Sequence, residues 1–213
     1  MARRLPVYLL LDVSGSMRGE PIAAVNQGVK MLADTLKTNP YALETAYLSL
    51  MTFNNVVEQI VPLTELFKFQ PPVLEAKSGT YLGKAIKFLS AKAEKEIVKT
   101  SKETKGDWKP LVFIMTDGKS GDKVEKALKE FNKKQFGNIL ICATGKQPNI
   151  EALRLISENV MMMENVDKEH ILSFFKWVTA SVGTCSQKIE ETGNDVDGIG
   201  ELPPPPPEVN IIV

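Results

Sequence analysis

One short stretch, VYLLLDVSGSM at residues 7–17, constrains this chain more than any other. It begins as an unbroken apolar run, which is typical of a β-strand covered by other elements on both faces. The run ends at Asp12, and two hydroxyl residues, Ser14 and Ser16, follow at alternate positions around a glycine. Small oxygen ligands on a loop suit a hard cation such as Mg²⁺. The alternative is that the serines begin a helix, because Ser and Asp are common N-cap residues.

Strand patterns alternate with amphipathic helix patterns along almost the whole chain. We predict strands at residues 7–11, 44–53, 56–61, 111–115, 139–143 and 159–163. Helical spacing of apolar residues predicts helices at about 20–39, 80–97, 124–131, 150–156 and 167–182, the last ending near Val182-Gly183. The turn at Asn54-Asn55 makes the second and third strands an antiparallel hairpin. The fold class predicted is α/β: a doubly wound, mostly parallel, Rossmann-like six-stranded sheet with one antiparallel edge strand and helices on both faces.

Two further loops carry oxygen side chains to the edge of this sheet where Asp12 lies. Thr80 stands at the start of a helix in the segment SGTYLGKAI, and Asp117 follows the buried strand LVFIM within Thr116-Asp117-Gly118. Ligands of such sheets bind at the carboxyl ends of the strands, where the topology switches direction. Three separated segments are therefore expected to direct oxygens at one place.

The composition excludes some function classes. Lysine plus arginine and aspartate plus glutamate number 26 each, so the formal net charge is zero, which gives no electrostatic reason to expect nucleic acid or an anionic membrane as a partner. No stretch approaches the roughly 20 apolar residues of a membrane helix, and we expect a cytoplasmic protein without a membrane span. The two cysteines, Cys142 and Cys185, form no disulfide or metal pattern, and Cys142 is expected to be a buried thiol.

The last part of the chain differs from the rest. We divide the 213 residues into a domain at 1–185 and a proline-rich tail at 186–213, in which residues 203–207 are five consecutive prolines. Three interpretations stay open for the tail: a disordered linker, a segment folded on the domain surface, or a ligand for a partner's groove.

These residues together resemble the von Willebrand factor type A family, called the I domain in integrins. The family's metal-ion-dependent adhesion site (MIDAS) is D-x-S-x-S, then a threonine, then an aspartate in a T-D-G context. The resemblance spans about residues 5–182 and implies five site residues: Asp12, Ser14, Ser16, Thr80 and Asp117. It implies direct coordination by the three hydroxyls and an indirect role, through water or hydrogen bonds, for the two aspartates. The cation implied is Mg²⁺, or alternatively Mn²⁺ or Ca²⁺.

With few anionic ligands, such a cation attracts a carboxylate, so the function predicted is docking of a partner's aspartate or glutamate. The alternative is a metal-dependent phosphohydrolase, because metal-bound water hydrolyses phosphate esters on similar folds. Dehalogenase-type phosphatases require D-x-D after the first strand, and this chain has Ser14 in place of the second aspartate. We therefore expect a binding module that is not an enzyme. A third possibility is a scaffold with a vestigial metal site.

The surface near the predicted site indicates the partner. The neighbours expected to contact it are Met17, Arg18, Tyr81, Lys119 and Ser120, of which the two cations suit an acidic segment. The segments around Ser14 and Thr80 look most like the bacterial TerY proteins of tellurium-resistance and stress-response gene clusters. That resemblance implies a phosphorylation-linked complex with a kinase-like or phosphatase protein of the same cluster. A direct role with tellurium compounds is not expected, because a soft thiolate site is missing from the sequence.

Overall fold

The computed structural model describes residues 3–131 and 133–211. Its strands are β1 (Leu5–Asp12), β2 (Ala46–Phe53), β3 (Val57–Glu65), β4 (Leu111–Thr116), β5 (Asn138–Thr144), β6 (Val160–Met163) and β7 (Asn210–Ile211). Its α-helices are α1 (Glu20–Leu36), α2 (Pro40–Thr45), α3 (Leu82–Glu96), α4 (Val124–Leu128), α5 (Ile150–Ile156) and α6 (Lys168–Thr192). Within the described chain, no helix has both the length and the apolar character needed to cross a membrane.

The strands form one mixed sheet in the order β3-β2-β1-β4-β5-β6-β7. β1 lies in the middle and pairs in parallel with both β2 and β4, while β5 and β6 continue the parallel part. β3 is antiparallel to β2 at one edge. The predicted α/β class, with six strands of which one is an antiparallel edge strand, is confirmed. The short β7 adds a further antiparallel pairing at the opposite edge, along β6.

Both faces of β1 are covered, which explains its unbroken apolar run. Leu9 and Leu11 point into the core layer shared with α1 and α6. Tyr8 and Leu10 point into the layer on the other face, shared with α3. All eight residues of β1 are buried, and exposed polar side chains follow only in the loop beyond its carboxyl end, beginning with Ser16.

The last helix is longer than the sequence pattern suggests. The prediction that it ends near Val182-Gly183 was wrong, because α6 continues to Thr192 and ends at Gly193 in the left-handed conformation with φ 68°. Gly183 lies within this helix and does not end it. The absence of a side chain at Gly183 leaves room for Asn39, which precedes α2. The boundary chosen for the tail, between residues 185 and 186, thus falls inside α6.

The proline-rich segment folds back on the domain. Its residues Leu202 and Val209 are buried, at 7% and 1% exposure, and the carbonyl of Pro203 accepts a hydrogen bond from the indole of Trp177. Of the three interpretations of the tail, the structure therefore has the one folded on the domain surface. The two final residues of the tail, 212 and 213, lie outside the described residues.

Candidate metal centre

The carboxylate of Asp12 ends β1 and is only 3% exposed. Its Oδ1 accepts a hydrogen bond from the backbone N–H of Ser14 at 2.8 Å, and its Oδ2 accepts one from the Thr116 hydroxyl at 2.7 Å. Burial raises the pKa of Asp12, while these two hydrogen bonds act in the opposite direction by stabilising the charged form. Both carboxylate oxygens are therefore already held by donors of the protein.

The hydroxyls of Ser14 and Ser16 lie side by side, with their Oγ atoms 3.1 Å apart. A 3₁₀ turn over Gly15–Met17 brings them together, and Ser16 is exposed to solvent. The N-cap of α1 is Gly19, so the alternative interpretation of Ser16 as the cap of the first helix was wrong. Neighbouring hydroxyl oxygens that do not cap a helix remain available as ligands for a hard cation.

The loop that carries Thr80 is tied by its backbone to both of the other loops. The N–H of Lys77 donates to the carbonyl of Val13 at 2.7 Å, and the carbonyl of Thr80 accepts from the N–H of Gly121 at 2.8 Å. Thr80 itself is half-buried. The Thr80 loop is therefore hydrogen-bonded on one side to the loop after β1 and on the other to the loop after β4.

Asp117 follows β4 directly and is half-buried. Its Oδ1 accepts a hydrogen bond from the N–H of Lys119 at 3.0 Å, and its charge also raises the pKa of the Asp12 carboxyl. The next residue, Gly118, has φ 71°, and a side chain there would come within 2.9 Å of the Asn149 carbonyl. A glycine is thus required for Asp117 to turn towards the end of β1.

The donor set fits a hard divalent cation better than a soft one. In residues 3–131 and 133–211, no group of three or more His, Cys, Asp or Glu side chains is placed to hold a metal. What the three loops offer instead are hydroxyls and two carboxylates, and such oxygens suit Mg²⁺, Mn²⁺ or Ca²⁺. Both cysteines are buried, and burial raises the pKa of Cys142 above its usual range and that of Cys185 to about 12.

The residues predicted to contact a partner fall into two groups. Arg18 and Lys119 are exposed, and the Arg18 guanidinium lies 3.4 Å from the Ser78 hydroxyl. The others are partly engaged within the protein. Met17 is 3% exposed, Tyr81 is half-buried, and the Ser120 hydroxyl accepts a hydrogen bond from the first N–H of α3 at 2.9 Å.

Two features near the site were missed by sequence reasoning. The first is Thr116, which the sequence analysis treated only as the context of Asp117 although its hydroxyl holds Asp12. The second is the loop after β5, where Thr144 and Lys146 line a cavity together with Ser16 and Asp117. The signal was present, because Thr144 also ends a buried parallel strand at this edge.

Comparisons with known proteins agree with this fold. A model of the von Willebrand factor type A domain matches residues 7–176. Among curated proteins, none matches the chain. Proximal thread matrix protein 1 from the mussel byssus has a TM-score of 0.61 at 18% identity, covering 84% of this chain and 48% of that one. Another structure of that protein, with a TM-score of 0.59 and the same identity and coverage, has a zinc-occupied MIDAS motif.

A von Willebrand factor type A protein from Catenulispora acidiphila has a TM-score of 0.61 at 16% identity, covering 86% of this chain and 43% of that one. This chain thus spans about half the length of these similar structures. At such identities the structural likeness shows the fold alone, whereas the family model covers most of the sequence. The chain belongs to the von Willebrand factor type A domain family.

Proposed function

We propose that three loops at the carboxyl edge of the sheet together bind a divalent cation, and that this cation docks an acidic side chain of a partner protein. The loops are the one after β1, the one before α3 and the one after β4. The observation that carries the proposal is the pair of hydroxyls, Ser14 and Ser16, that lie 3.1 Å apart directly beside the buried Asp12. Thr80 would supply the third hydroxyl. When bound, the cation would supply a Lewis-acidic position for a carboxylate oxygen.

The hydrogen bonds of Asp12 support an indirect role for this residue. Both of its oxygens accept hydrogen bonds from Ser14 and Thr116, so it orients the loop and contributes negative charge without needing a free lone pair for the cation. Asp117 would act in the same way from the other side. Neutral hydroxyl ligands leave most of the charge of the cation uncompensated, which favours an anionic group from a partner.

The preferred ion is Mg²⁺, with Mn²⁺ or Ca²⁺ as alternatives. Oxygen ligands alone do not separate these ions, because they differ mainly in size and coordination number. The zinc-occupied motif of the mussel protein supports a divalent ion at a site of this type.

A binding function is favoured over a phosphohydrolase by the state of Asp12. An aspartate nucleophile needs one oxygen directed at the substrate, but the two oxygens of Asp12 are buried and hydrogen-bonded. The residue two positions later is Ser14, which cannot replace a carboxylic acid in protonating a leaving group.

The finer assignment to a TerY-like protein rests on sequence resemblance in the segments around Ser14 and Thr80. On that basis we propose a cytoplasmic partner, either a kinase-like protein or a phosphatase of the same tellurium-resistance or stress-response gene cluster, in a phosphorylation-linked complex. The partner would offer an aspartate or glutamate on its surface.

The proposal is tested by calorimetric titration of the purified chain with Mg²⁺ and Mn²⁺. The wild-type chain is expected to bind one cation, and Ser16→Ala is expected to weaken binding about tenfold or more because a direct ligand is lost. Ser101→Ala is the matched control, since Ser101 is an exposed serine on the loop between α3 and β4. Equal cation affinity of wild type, Ser16→Ala and Asp12→Ala would refute the site.

Docking itself is tested by capture from a lysate of the source cell with Mg²⁺ and with EDTA. A protein retained by wild type in Mg²⁺, released by EDTA and not retained by Asp12→Ala is the expected result. Retention that is the same in all of these conditions would show that the partner binds elsewhere on the domain.

A further inference from the structure

A cavity of about 110 Å³ adjoins the proposed metal site on its β5 side. Ser16 and Asp117 line this cavity as well as the proposed site, so a group that enters the cavity lies next to the cation position. The floor includes Met17, which is 3% exposed, and the half-buried Val166 before α6. The cavity has room for part of one side chain of a partner, and Met17 and Val166 would contact the apolar part of that side chain.

Lysines outnumber carboxylates, two to one, in the lining of this cavity. Lys119, from the loop after β4, and Lys146, from the loop after β5, both line it and both are exposed. Asp167 follows the lining residue Val166, but its carboxylate is hydrogen-bonded to the N–H and the ring of His170 at the start of α6. The cavity lining contains one carboxylate, Asp117, whose charge the proposed cation would offset, so the two lysines favour an anion there.

The opposite side of the proposed site has a different character. A cavity of about 130 Å³ on the β3 side touches two of the metal loops through Val13 and Lys77, and its lining also contains Asn54, Glu58 and Glu75. A second carboxylate would meet two like charges there, against the single lysine Lys77. The charges on the two sides of the metal loops therefore differ, which gives a bound acidic segment a preferred direction.

We propose that the partner segment carries a second carboxylate, next to the one bound through the cation, and that this carboxylate enters the β5-side cavity between Lys119 and Lys146. This inference rests on the proposed metal-dependent docking and names the chemistry of its partner: an acidic peptide with at least two neighbouring Asp or Glu residues. A phosphorylated segment is disfavoured, because the cavity lining contains no arginine for bidentate contact and includes the apolar side chains of Met17 and Val166.

The test uses a displayed library of random twelve-residue peptides, bound to the purified chain in Mg²⁺ and eluted with EDTA. The wild-type chain is expected to select peptides with paired acidic residues. The double variant Lys119→Glu/Lys146→Glu is expected to select EDTA-released peptides as well, but with neutral or basic residues beside the single acid. The double variant Lys102→Glu/Lys105→Glu is the control of equal charge change, at two exposed positions between α3 and β4.

The affinity of the best wild-type peptide is then measured with its second acid replaced by Gln. We expect binding about twofold to fivefold weaker, as for exposed ion pairs, and a difference that shrinks between about 50 and 500 mM salt. The inference would be overturned if the wild-type chain selected peptides with a single acidic residue, or if the double variant selected the same paired acidic residues as wild type. Either result would leave the docking function standing. A phosphoserine at the second position that binds tenfold more tightly than Glu would also overturn it, in favour of a phosphorylated partner. If no peptide is released by EDTA, both the inference and the docking function fail.

Discussion

The carboxylate of Asp12 lies at the end of β1 with 3% of its surface exposed, so its charge has to be stabilised by groups of the protein. The N–H of Ser14 and the hydroxyl of Thr116 do this. Thr116 is fully buried and is the last residue of β4, the strand beside β1. A single hydroxyl thus connects the ends of two central strands at the proposed metal site.

The exchange Thr116→Val keeps the shape of this side chain and removes its hydroxyl. Asp12 would then lack a donor for one oxygen, and a hydrogen bond to a charged group contributes about 1.5–3 kcal/mol. We expect the free energy of unfolding to fall by about that amount, as measured by urea denaturation. Thr179→Val is the control, because the Thr179 hydroxyl donates only to the Phe175 carbonyl one turn earlier in α6. An equal loss in both variants would contradict the special role of Thr116.

Residues of the site differ in how far the sequence reveals them. Asp12 and Asp117 could be placed together, because each lies within two positions of the end of an apolar run and the ends of parallel strands share an edge. Lys146 could not be selected in this way, since exposed lysines are frequent and its proposed role comes from the cavity that it lines together with Ser16. The hydroxyl of Thr116 was equally hidden, because its hydrogen bond spans 104 positions of sequence.

At the scale of whole elements, α1 and α6 pack against the same face of the sheet and very closely against each other. Gly28 of α1 faces the ring of Phe175 of α6, and a β-carbon at Gly28 would lie 2.3 Å from the Cδ2 atom of that ring. The glycine costs α1 some helix propensity, about 1 kcal/mol relative to alanine. Close approach of the two helices requires it nonetheless.

The exchange Gly28→Ala tests whether packing or propensity dominates in α1. The clash with Phe175 is expected to exceed the gain in propensity, because overpacking of a core commonly costs about 1–3 kcal/mol. A lower unfolding midpoint in urea is therefore expected. Gly183→Ala in α6 is the matched control, since its β-carbon would meet only the Asn39 side-chain nitrogen, at 3.1 Å. A stabilised Gly28→Ala variant would show that the helices move apart readily.

Element boundaries were less predictable than element types. The sequence pattern predicts that the first helix ends near Asn39-Pro40, whereas α1 ends at Leu36. Asn39 is instead the N-cap of α2, and its side chain accepts a hydrogen bond from the N–H of Ala42 at 3.0 Å. α6 was predicted too short because Gly183 resembles a helix terminator. Its extension to Thr192 buries Cys185 and Ile189 in the same core layer that contains Leu202 and Val209 of the tail. Such long-range packing has no local signal in the sequence.

For the molecule as a whole, the tail lies outside the part that matches the family model, which ends at residue 176. The side chain of Asn138 at the start of β5 accepts from the N–H of Gly198 and donates to the carbonyl of Val196, both at 3.0 Å. Further along, β7 pairs with the edge of β6, with Asn210 opposite Met162. The tail therefore covers a sheet edge that would otherwise expose unpaired backbone groups.

Deletion of residues 203–213 would uncover this edge and remove Pro203, the acceptor of the Trp177 indole, together with the buried Val209. We expect the free energy of unfolding to fall by about 2–4 kcal/mol, from one lost hydrogen bond and one lost apolar side chain. We also expect the truncated chain to associate through the free edge of β6, seen as a mass that rises with concentration in light scattering.

Pro204→Ser, at an exposed position, should leave both the free energy of unfolding and the mass unchanged. A truncated chain that stays monomeric and keeps its unfolding midpoint would show that the tail contributes nothing to closing the sheet.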